Sequence, residues 1–442
     1  MTDVATARGR GVLRAAATAA RWVGRGERRT TATLDALADD IADLTGRVDA
    51  LDAADGLESS AAARPRRDPW WSPAELGDGV NVIGYLQHQS GLGDVARRLV
   101  ALLDAAGVPT APIAFDGTHA PLTSTAVVAP QRLDHARTIA LMAPDQVAVL
   151  DDWYPEVRGR TRTVGYCFWE LDELPDDQIA GARLLDEVWV PTRFVERAFS
   201  AVDGLRVRHV PIPVARPVPS VRPAVSFAPL AGAGDRVVLG ITFDHFSSLE
   251  RKNPLGAIEA FTRAFSDDPS RALLVVKTLN ADHLPEAHRR LLDHVGDRRD
   301  VVVWDHHLSR ADQSAFISHL DVLVSLHRGE GLGLHLAEAM WLGVPVIATG
   351  YSGNLDFMDP SCARLVDHVL RPVGDLAMHY RAEATWADPD VDDAARAMRE
   401  LVDDAAARAE LGAAGRRRMA DQPSDAATAE RIAALLDDLP PR

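Results

Sequence analysis

The residues best equipped for chemistry lie in one stretch, His327-Arg328-Gly329-Glu330-Gly331-Leu332-Gly333-Leu334-His335-Leu336-Ala337-Glu338-Ala339-Met340, followed by Gly343-Val344-Pro345-Val346-Ile347-Ala348-Thr349-Gly350-Tyr351-Ser352-Gly353-Asn354. The glycines let backbone amides approach a ligand, and a helix starting here turns its positive end toward an anion. Glu330 stands before that helix and Glu338 on it, about 12 Å apart along the axis and roughly 80° apart in angle if helical throughout. Two carboxylates so placed cannot chelate one metal or share one proton. They can hold hydroxyls at the two ends of an elongated ligand with phosphates between, the layout of a sugar nucleotide.

The surrounding pattern supplies elements to position them. Apolar strand candidates at 80–86, 138–142, 163–168, 187–190 and 207–210 alternate with helical stretches such as 95–106 and 177–185. A second series runs through strand 236–243, helix 254–265, strand 272–276, strand 301–304, helix 310–320, strand 322–326, helix 334–342 and strand 344–349. Alternation of this kind predicts parallel sheets covered on both faces, with ligands at the carboxyl ends of the strands. Six prolines between Pro211 and Pro229 mark a stiff connector. The chain therefore divides into a basic segment (1–30), a heptad helix (31–56), a linker (57–79), one α/β domain (80–225) and a second (226–442) that ends in helices.

Residues 1–30 carry Arg8, Arg10, Arg14, Arg21, Arg25, Arg28 and Arg29 against Asp3 and Glu27, a formal +5, so the overall −16 leaves about −21 on the remainder. That charge argues against nucleic acid as a partner of the body. The basic segment reads first as a solvated tail and alternatively as a contact for an anionic membrane surface. Leu34, Leu37, Ile41, Leu44, Val48 and Leu51 form one heptad seam, which fits a homo-oligomeric coiled coil through 34–51 or a helix packed on its own body. No apolar run is long enough to span a membrane or lead export, which predicts a cytoplasmic protein, peripherally membrane-associated if the basic segment binds lipid. Cys167 and Cys362 have no neighbours at metal-ligand spacing and read as packing residues.

The pattern Glu330-Gly331-Leu332-Gly333-Leu334, Glu338-Ala339-Met340 and Gly343-x-Pro345-Val346-Ile347-Ala348 resembles the signature of the retaining glycosyltransferases of the GT-B fold, family 4. The resemblance extends over about residues 80–420, through Asn81-Val82-Ile83-Gly84-Tyr85, Gly91-Leu92-Gly93, Trp169-Glu170-Leu171, Val188-Trp189-Val190-Pro191-Thr192, Arg251-Lys252-Asn253-Pro254 and Ser352-Gly353-Asn354-Leu355-Asp356-Phe357-Met358. It implies two Rossmann-like, doubly wound parallel-sheet domains facing a cleft, the first on the acceptor side and the second on the nucleotide-sugar side. It also implies that Glu330 contacts the donor sugar and Glu338 the ribose, with Gly331, Leu332, Gly333 and Leu334 leading a helix N-terminus to the phosphates.

Lys252 and Lys277, the only lysines among 48 basic residues, follow or end strands whose rim the Glu330 loop shares. A departing diphosphate needs positive charge there, and a compact ammonium can turn among its oxygens. Phe246 stands where the family usually has an Arg, leaving Arg251 and Arg328 as substitutes. Gly91, Leu92 and Gly93 bring amides from the other wall, and Ser352, Gly353 and Asn354 form a further amide-rich turn. Glu170 takes the place where many relatives have a sugar-touching His. His327 reads as structural. Glu330, Lys252 and Glu170 form the expected catalytic set.

The resemblance implies metal-independent transfer of a hexose, with retention, to a glycan or lipid-linked acceptor. No cofactor is expected, since the nucleotide sugar is itself a substrate. The His327-Arg328…Glu330 variant resembles mannosyltransferase-like members and points to GDP-mannose, with UDP-sugars open. No Asp-x-Asp metal site follows a strand: Asp151-Asp152 lack the spacing and Asp388-Pro389-Asp390 approach the helical tail. Two alternatives keep the fold: a non-catalytic sugar-nucleotide-binding subunit of a polysaccharide machinery, and a sugar-nucleotide 2-epimerase.

Overall fold

The computed structural model describes residues 75–115, 132–154, 156–376 and 380–440. The basic segment, the heptad helix and most of the linker lie outside the described residues. Two six-stranded parallel sheets organise the rest, as the alternating pattern predicts.

The first sheet contains β1 (Gly77–Gly84), β2 (Thr110–Ala114), β3 (His135–Leu141), β4 (Arg162–Tyr166), β5 (Glu187–Val190) and β6 (Val207–His209) in the order β2-β1-β3-β4-β5-β6. Helices α1 (Gly91–Ala105), α2 (Asp176–Ala182) and α3 (Arg193–Ser200) connect these strands. The second sheet contains β7 (Val237–Asp244), β8 (Ala272–Leu279), β9 (Val301–Asp305), β10 (Val322–Ser325), β11 (Val346–Thr349) and β12 (Arg364–Val366) in the order β12-β11-β10-β7-β8-β9. Its helices are α4 (Leu249–Lys252), α5 (Pro254–Phe265), α6 (Pro285–Val295), α7 (Arg310–Ser318) and α8 (Leu334–Leu342). An antiparallel hairpin, β13 (His368–Pro372) and β14 (Thr385–Pro389), precedes α9 (Val391–Asp403), α10 (Ala405–Ala420) and α11 (Asp425–Asp437).

In the second sheet the order reverses direction between β7 and β10, which pair through Val322↔Leu239 and Leu323↔Gly240. Crevices for ligands open at such a switch point, beyond the carboxyl ends of the strands. The loops leaving these two strands carry Lys252 and Glu330.

Several boundaries differ from the sequence reading. The first domain begins at Gly77, three residues inside the expected linker, because β1 pairs with His135 there. Strand β2 was not anticipated; its Pro112 is accommodated because β2 lies at the sheet edge. The hairpin β13–β14 was also missed. The Pro-rich connector is held down, with Val214, Val225 and Phe227 packed on the second domain's core. The last helix does not belong with the second domain. Ala429, Ile432, Leu436 and Leu439 join the core formed by Val80, Val82, Leu99 and Trp189 of the first domain, and Arg137 donates to the Leu439 carbonyl at 2.9 Å. Residues 425–440 thus return to the first domain, correcting the assignment of 226–442 to the second. Both cysteines are buried and free, and no described helix is long and apolar enough to cross a membrane.

Candidate functional site

The centre of the site is Glu330, whose carboxylate is 6% exposed and pairs with the Lys252 ammonium. Arg251 reaches the other carboxylate oxygen at 3.5 Å. The local fold puts them there. Ser248 and Asn253 take positive φ of 68° and 50° on either side of α4, an unusual backbone for non-glycine residues. Asn253 offsets the strain by donating to the Leu326 carbonyl at 2.9 Å and accepting from Gly256 N at 3.1 Å. The α4 turn is thereby fastened to the end of β10, where the Glu330 loop begins.

The loop itself is fastened from the other side. Glu330 N–H donates to Ser352 Oγ at 2.9 Å, and Gly353 N–H donates to the Glu330 carbonyl at 2.9 Å. A Cβ on Gly353 would lie 2.2 Å from the Gly331 carbonyl, so glycine there permits this contact. His327, fully buried, bridges Ser325 Oγ (3.0 Å) and Asn354 Oδ1 (3.1 Å). It is a scaffold for the loop, as its sequence context implies. Asn354 is likewise spent on structure, donating to the Thr349 carbonyl at 3.2 Å.

Burial opposes ionisation of Glu330, but Lys252 and Arg251 outweigh it and hold its carboxyl well below the ordinary range. Burial pulls the Lys252 ammonium down, with Glu330 opposing. Arg251 also donates to the Gly329 carbonyl at 2.9 Å and lies 3.7 Å from Glu170. Glu170 in turn accepts from the Tyr380 hydroxyl at 3.3 Å. The predicted catalytic residues Glu330, Lys252 and Glu170 are therefore linked through Arg251.

Glu338, 3% exposed on α8, belongs to a different network. Its partner is Arg310, which also pairs with Asp94 of α1. Burial pushes the Glu338 carboxyl up to about 7, with Arg310 opposing. Asp94 is further held by Arg97 at 2.5 Å, and Arg97 donates to the Leu86 and His88 carbonyls.

The two helix N-termini meet where the sequence placed amides on both walls. Gly333 caps α8 with φ 89°, a conformation suited to glycine. A Cβ on Gly91 would lie 3.3 Å from the Leu334 side chain. Gly93 serves packing as well, since a Cβ there would lie 2.4 Å from the His88 carbonyl. Leu92 and Leu332 are spent on cores. Thr192 of the first domain donates to the Gly331 carbonyl at 2.9 Å.

Two expected donor contacts are engaged elsewhere. Lys277 does not end its strand; β8 continues to Leu279. Its ammonium is 3% exposed and, pulled down to about 8 by burial, faces Asp244 and Asp305. Arg328 donates to the Glu250 carbonyl at 2.6 Å, pairs with Asp388 at 3.2 Å and covers the Trp386 ring at 5.3 Å. It anchors the hairpin to the loop. Arg310, Asp94 and Tyr380 were missed, since an Arg opening a helix and a Tyr in a connecting loop carry no local signal. Among the described residues, no group of three or more His, Cys, Asp or Glu is placed to hold a metal ion.

Two Rossmann-like domains with a charged crevice at the switch point define the GT-B class. Sucrose-phosphate synthase from Thermosynechococcus elongatus superposes with a TM-score of 0.58 at 16% identity, over 82% of this chain and 99% of that one. Anabaena HepE, solved with UDP and glucose, gives 0.57 at 13% identity, over 82% and 100%. A TarM mutant from S. aureus, in complex with fondaparinux, alpha-GlcNAc-glycerol and UDP, gives 0.50 at 14% identity. That match covers 68% of this chain and 55% of TarM, so the chain spans just over half of TarM's length. At these identities the likeness shows the fold. No curated protein matches the sequence. Residues 213–432 match the family described as Family 4 Glycosyltransferase in conflict systems. Just under half of the chain thus resembles family-4 glycosyltransferases, and the described residues share the GT-B fold.

Proposed function

We propose that this protein is a glycosyltransferase that moves a hexose from a nucleoside-diphosphate sugar to a glycan or lipid-linked acceptor, with retention and without a metal. The observation that carries this reading is the sealed Glu330 carboxylate held by Lys252 and Arg251 at the switch point. Each carboxylate is paired with a cation: Lys252 on Glu330 and Arg310 on Glu338. When the donor enters, its diphosphate takes the Lys252 ammonium, the hexose hydroxyls take Glu330 and the ribose hydroxyls take Glu338. The bond from the anomeric carbon to the phosphate oxygen breaks as the acceptor oxygen bonds to the same face. The acceptor proton passes to the departing diphosphate. Lys252 and the N-termini of α1 and α8 stabilise the charge that builds there.

UDP is the favoured nucleotide because Anabaena HepE was solved with UDP and glucose; GDP-mannose is the second candidate. Thermal-shift titration of the full chain with UDP, GDP and ADP tests the nucleotide, because a ligand of the folded state raises Tm by mass action. Donor turnover in excess EDTA, with the product anomer read by NMR, tests the reaction. Retained turnover and an unchanged anomeric configuration are expected. Loss reversed by magnesium overturns metal independence, and an inverted product overturns retention.

A further inference from the structure

Arg251 spans the boundary between the two domains inside the Glu330 cluster. Its guanidinium, on a side chain 6% exposed, donates to the Gly329 carbonyl at 2.9 Å. It faces Glu330 of the second domain at 3.5 Å and Glu170 of the first at 3.7 Å. The Tyr380 hydroxyl, which donates to Glu170 at 3.3 Å, also meets it. Its place beside Lys252 in the chain suggests a second cation for the leaving phosphate. On the donor reading above, we infer instead that Arg251 is a positioning residue and not a diphosphate ligand: it couples the docking of the first domain, through Glu170, to the place and charge of Glu330.

The backbone shows the same dependence. A Cβ on Gly329 would lie 2.2 Å from the Glu170 carbonyl oxygen, and one on Gly331 would lie 3.1 Å from that of Trp169. Residues 169 and 170 of the first domain therefore rest directly on the loop that carries Glu330.

Transfer of the kind proposed needs two cations of different freedom. The Lys252 ammonium has Glu330 as its hydrogen-bond partner and, on a flexible stem, can turn to a diphosphate. Once it turns, the histidines that face Glu330 supply no charge at neutral pH, because burial pulls His335 down to about 3 and His327 below its ordinary value. Arg251 then keeps the carboxylate ionised. A guanidinium does not lose its proton, and this one is tied to the Gly329 backbone and to Glu170. Were Arg251 to turn to phosphate as well, the sealed Glu330 carboxylate would be left without a cation, an arrangement that costs strongly in a buried site.

A double-mutant cycle on the full chain tests this, with UDP and UDP-glucose as probes. Arg251→Gln should bind UDP within about threefold of the parent in calorimetry, while kcat on UDP-glucose falls about tenfold or more, the mark of an interaction used after binding. Its activity should also fail at higher pH on the acid side, since Glu330 loses the cation that holds it ionised. Glu170→Gln should lower kcat in the parent but change it by less than about twofold in the Arg251→Gln background, because the pair acts as one unit. Additive losses overturn the inference. So does a larger loss of UDP affinity in Arg251→Gln, which makes Arg251 a phosphate ligand. Arg251 is buried, so thermal melts accompany each assay; if Arg251→Gln does not fold, Arg251→Lys carries the cycle with the charge kept and the fork lost. Read in urea midpoints, the same cycle needs no ligand, and additive shifts there overturn the link between Arg251 and Glu170. If the parent neither binds UDP nor turns over UDP-glucose while the midpoints are coupled, the donor reading fails and the link between the domains stands.

Discussion

Glu330 and Glu338 lie on one loop-helix unit and are almost equally sealed from water, at 6% and 3% exposed, yet their charges behave oppositely. Glu330 faces two cations that are themselves buried, with side chains 12% (Lys252) and 6% (Arg251) exposed. Glu338 faces one, Arg310, whose side chain is 45% exposed and shared with Asp94. Desolvation raises both carboxyls; only Glu330 has enough unscreened positive charge to reverse it. Its stabilising contribution is therefore present above the ordinary carboxylate value and is lost as pH falls. That of Glu338 is present in acid, below its unfolded value of 4.5, and is lost as pH rises through about 7.

The strongest way to break this comparison is to remove the ammonium. Lys252→Met leaves Glu330 with Arg251 alone and removes the cation proposed to meet the leaving group. Transfer should fall at least ~100-fold, and stability in urea should drop by less than the about 3–5 kcal/mol of a fully uncompensated buried charge, because Arg251 remains. Near-normal turnover in this variant would remove Lys252 from the mechanism.

Glu338→Gln sharpens it. The neutral amide mimics the protonated acid, so the variant should match the parent at pH 4, gain on it between about 4.5 and about 7, and hold that gain above. The gain should approach roughly 3 kcal/mol in urea melts at pH 8. A constant difference between the two proteins across that range contradicts the raised titration.

A smaller effect is expected from Arg310→Gln, which deletes the cation that opposes the burial shift. If the ribose takes ionised Glu338 as proposed, UDP affinity should weaken as pH falls through about 7 in the parent and should begin to weaken at higher pH in the variant. Calorimetric UDP titrations at several pH values read this shift directly. The smallest effect belongs to Tyr380→Phe, which removes one 3.3 Å bond to Glu170. Turnover should change by about two- to fivefold, consistent with about 0.5–1 kcal/mol for a single neutral donor.

Much of the architecture could be read from composition and periodicity, because strand and helix patterns are local. Five of the second sheet's six strands appeared nearly where they lie, the short edge strand β12 being missed, and the Glu330 loop was placed at the correct sheet edge. Strand β2 escaped because Pro112 weakens its pattern, and the hairpin escaped because Arg371, Pro372 and Pro389 do not alternate like a strand. The return of α11 was invisible for a different reason: its amphipathic face fits either domain, and only docking chooses. In the site, the glycines and both glutamates were identified by type and spacing. Lys277 and Arg328 were offered as donor contacts, yet their partners, Asp244 and Asp305 for one and Asp388 for the other, are distant in the chain.

The sequence by itself determined which groups are present and which of them share a turn: the glycine caps, the eight-residue separation of the glutamates and the adjacency of Arg251 and Lys252. Tertiary structure decided what those groups do electrically. Lys252 meets Glu330 across 78 residues of chain, and a charge pair's strength depends on its separation and on the water excluded around it. Neither quantity is written in local spacing, so the same side chain became a low-pKa carboxylate at one position and a titrating one at the other.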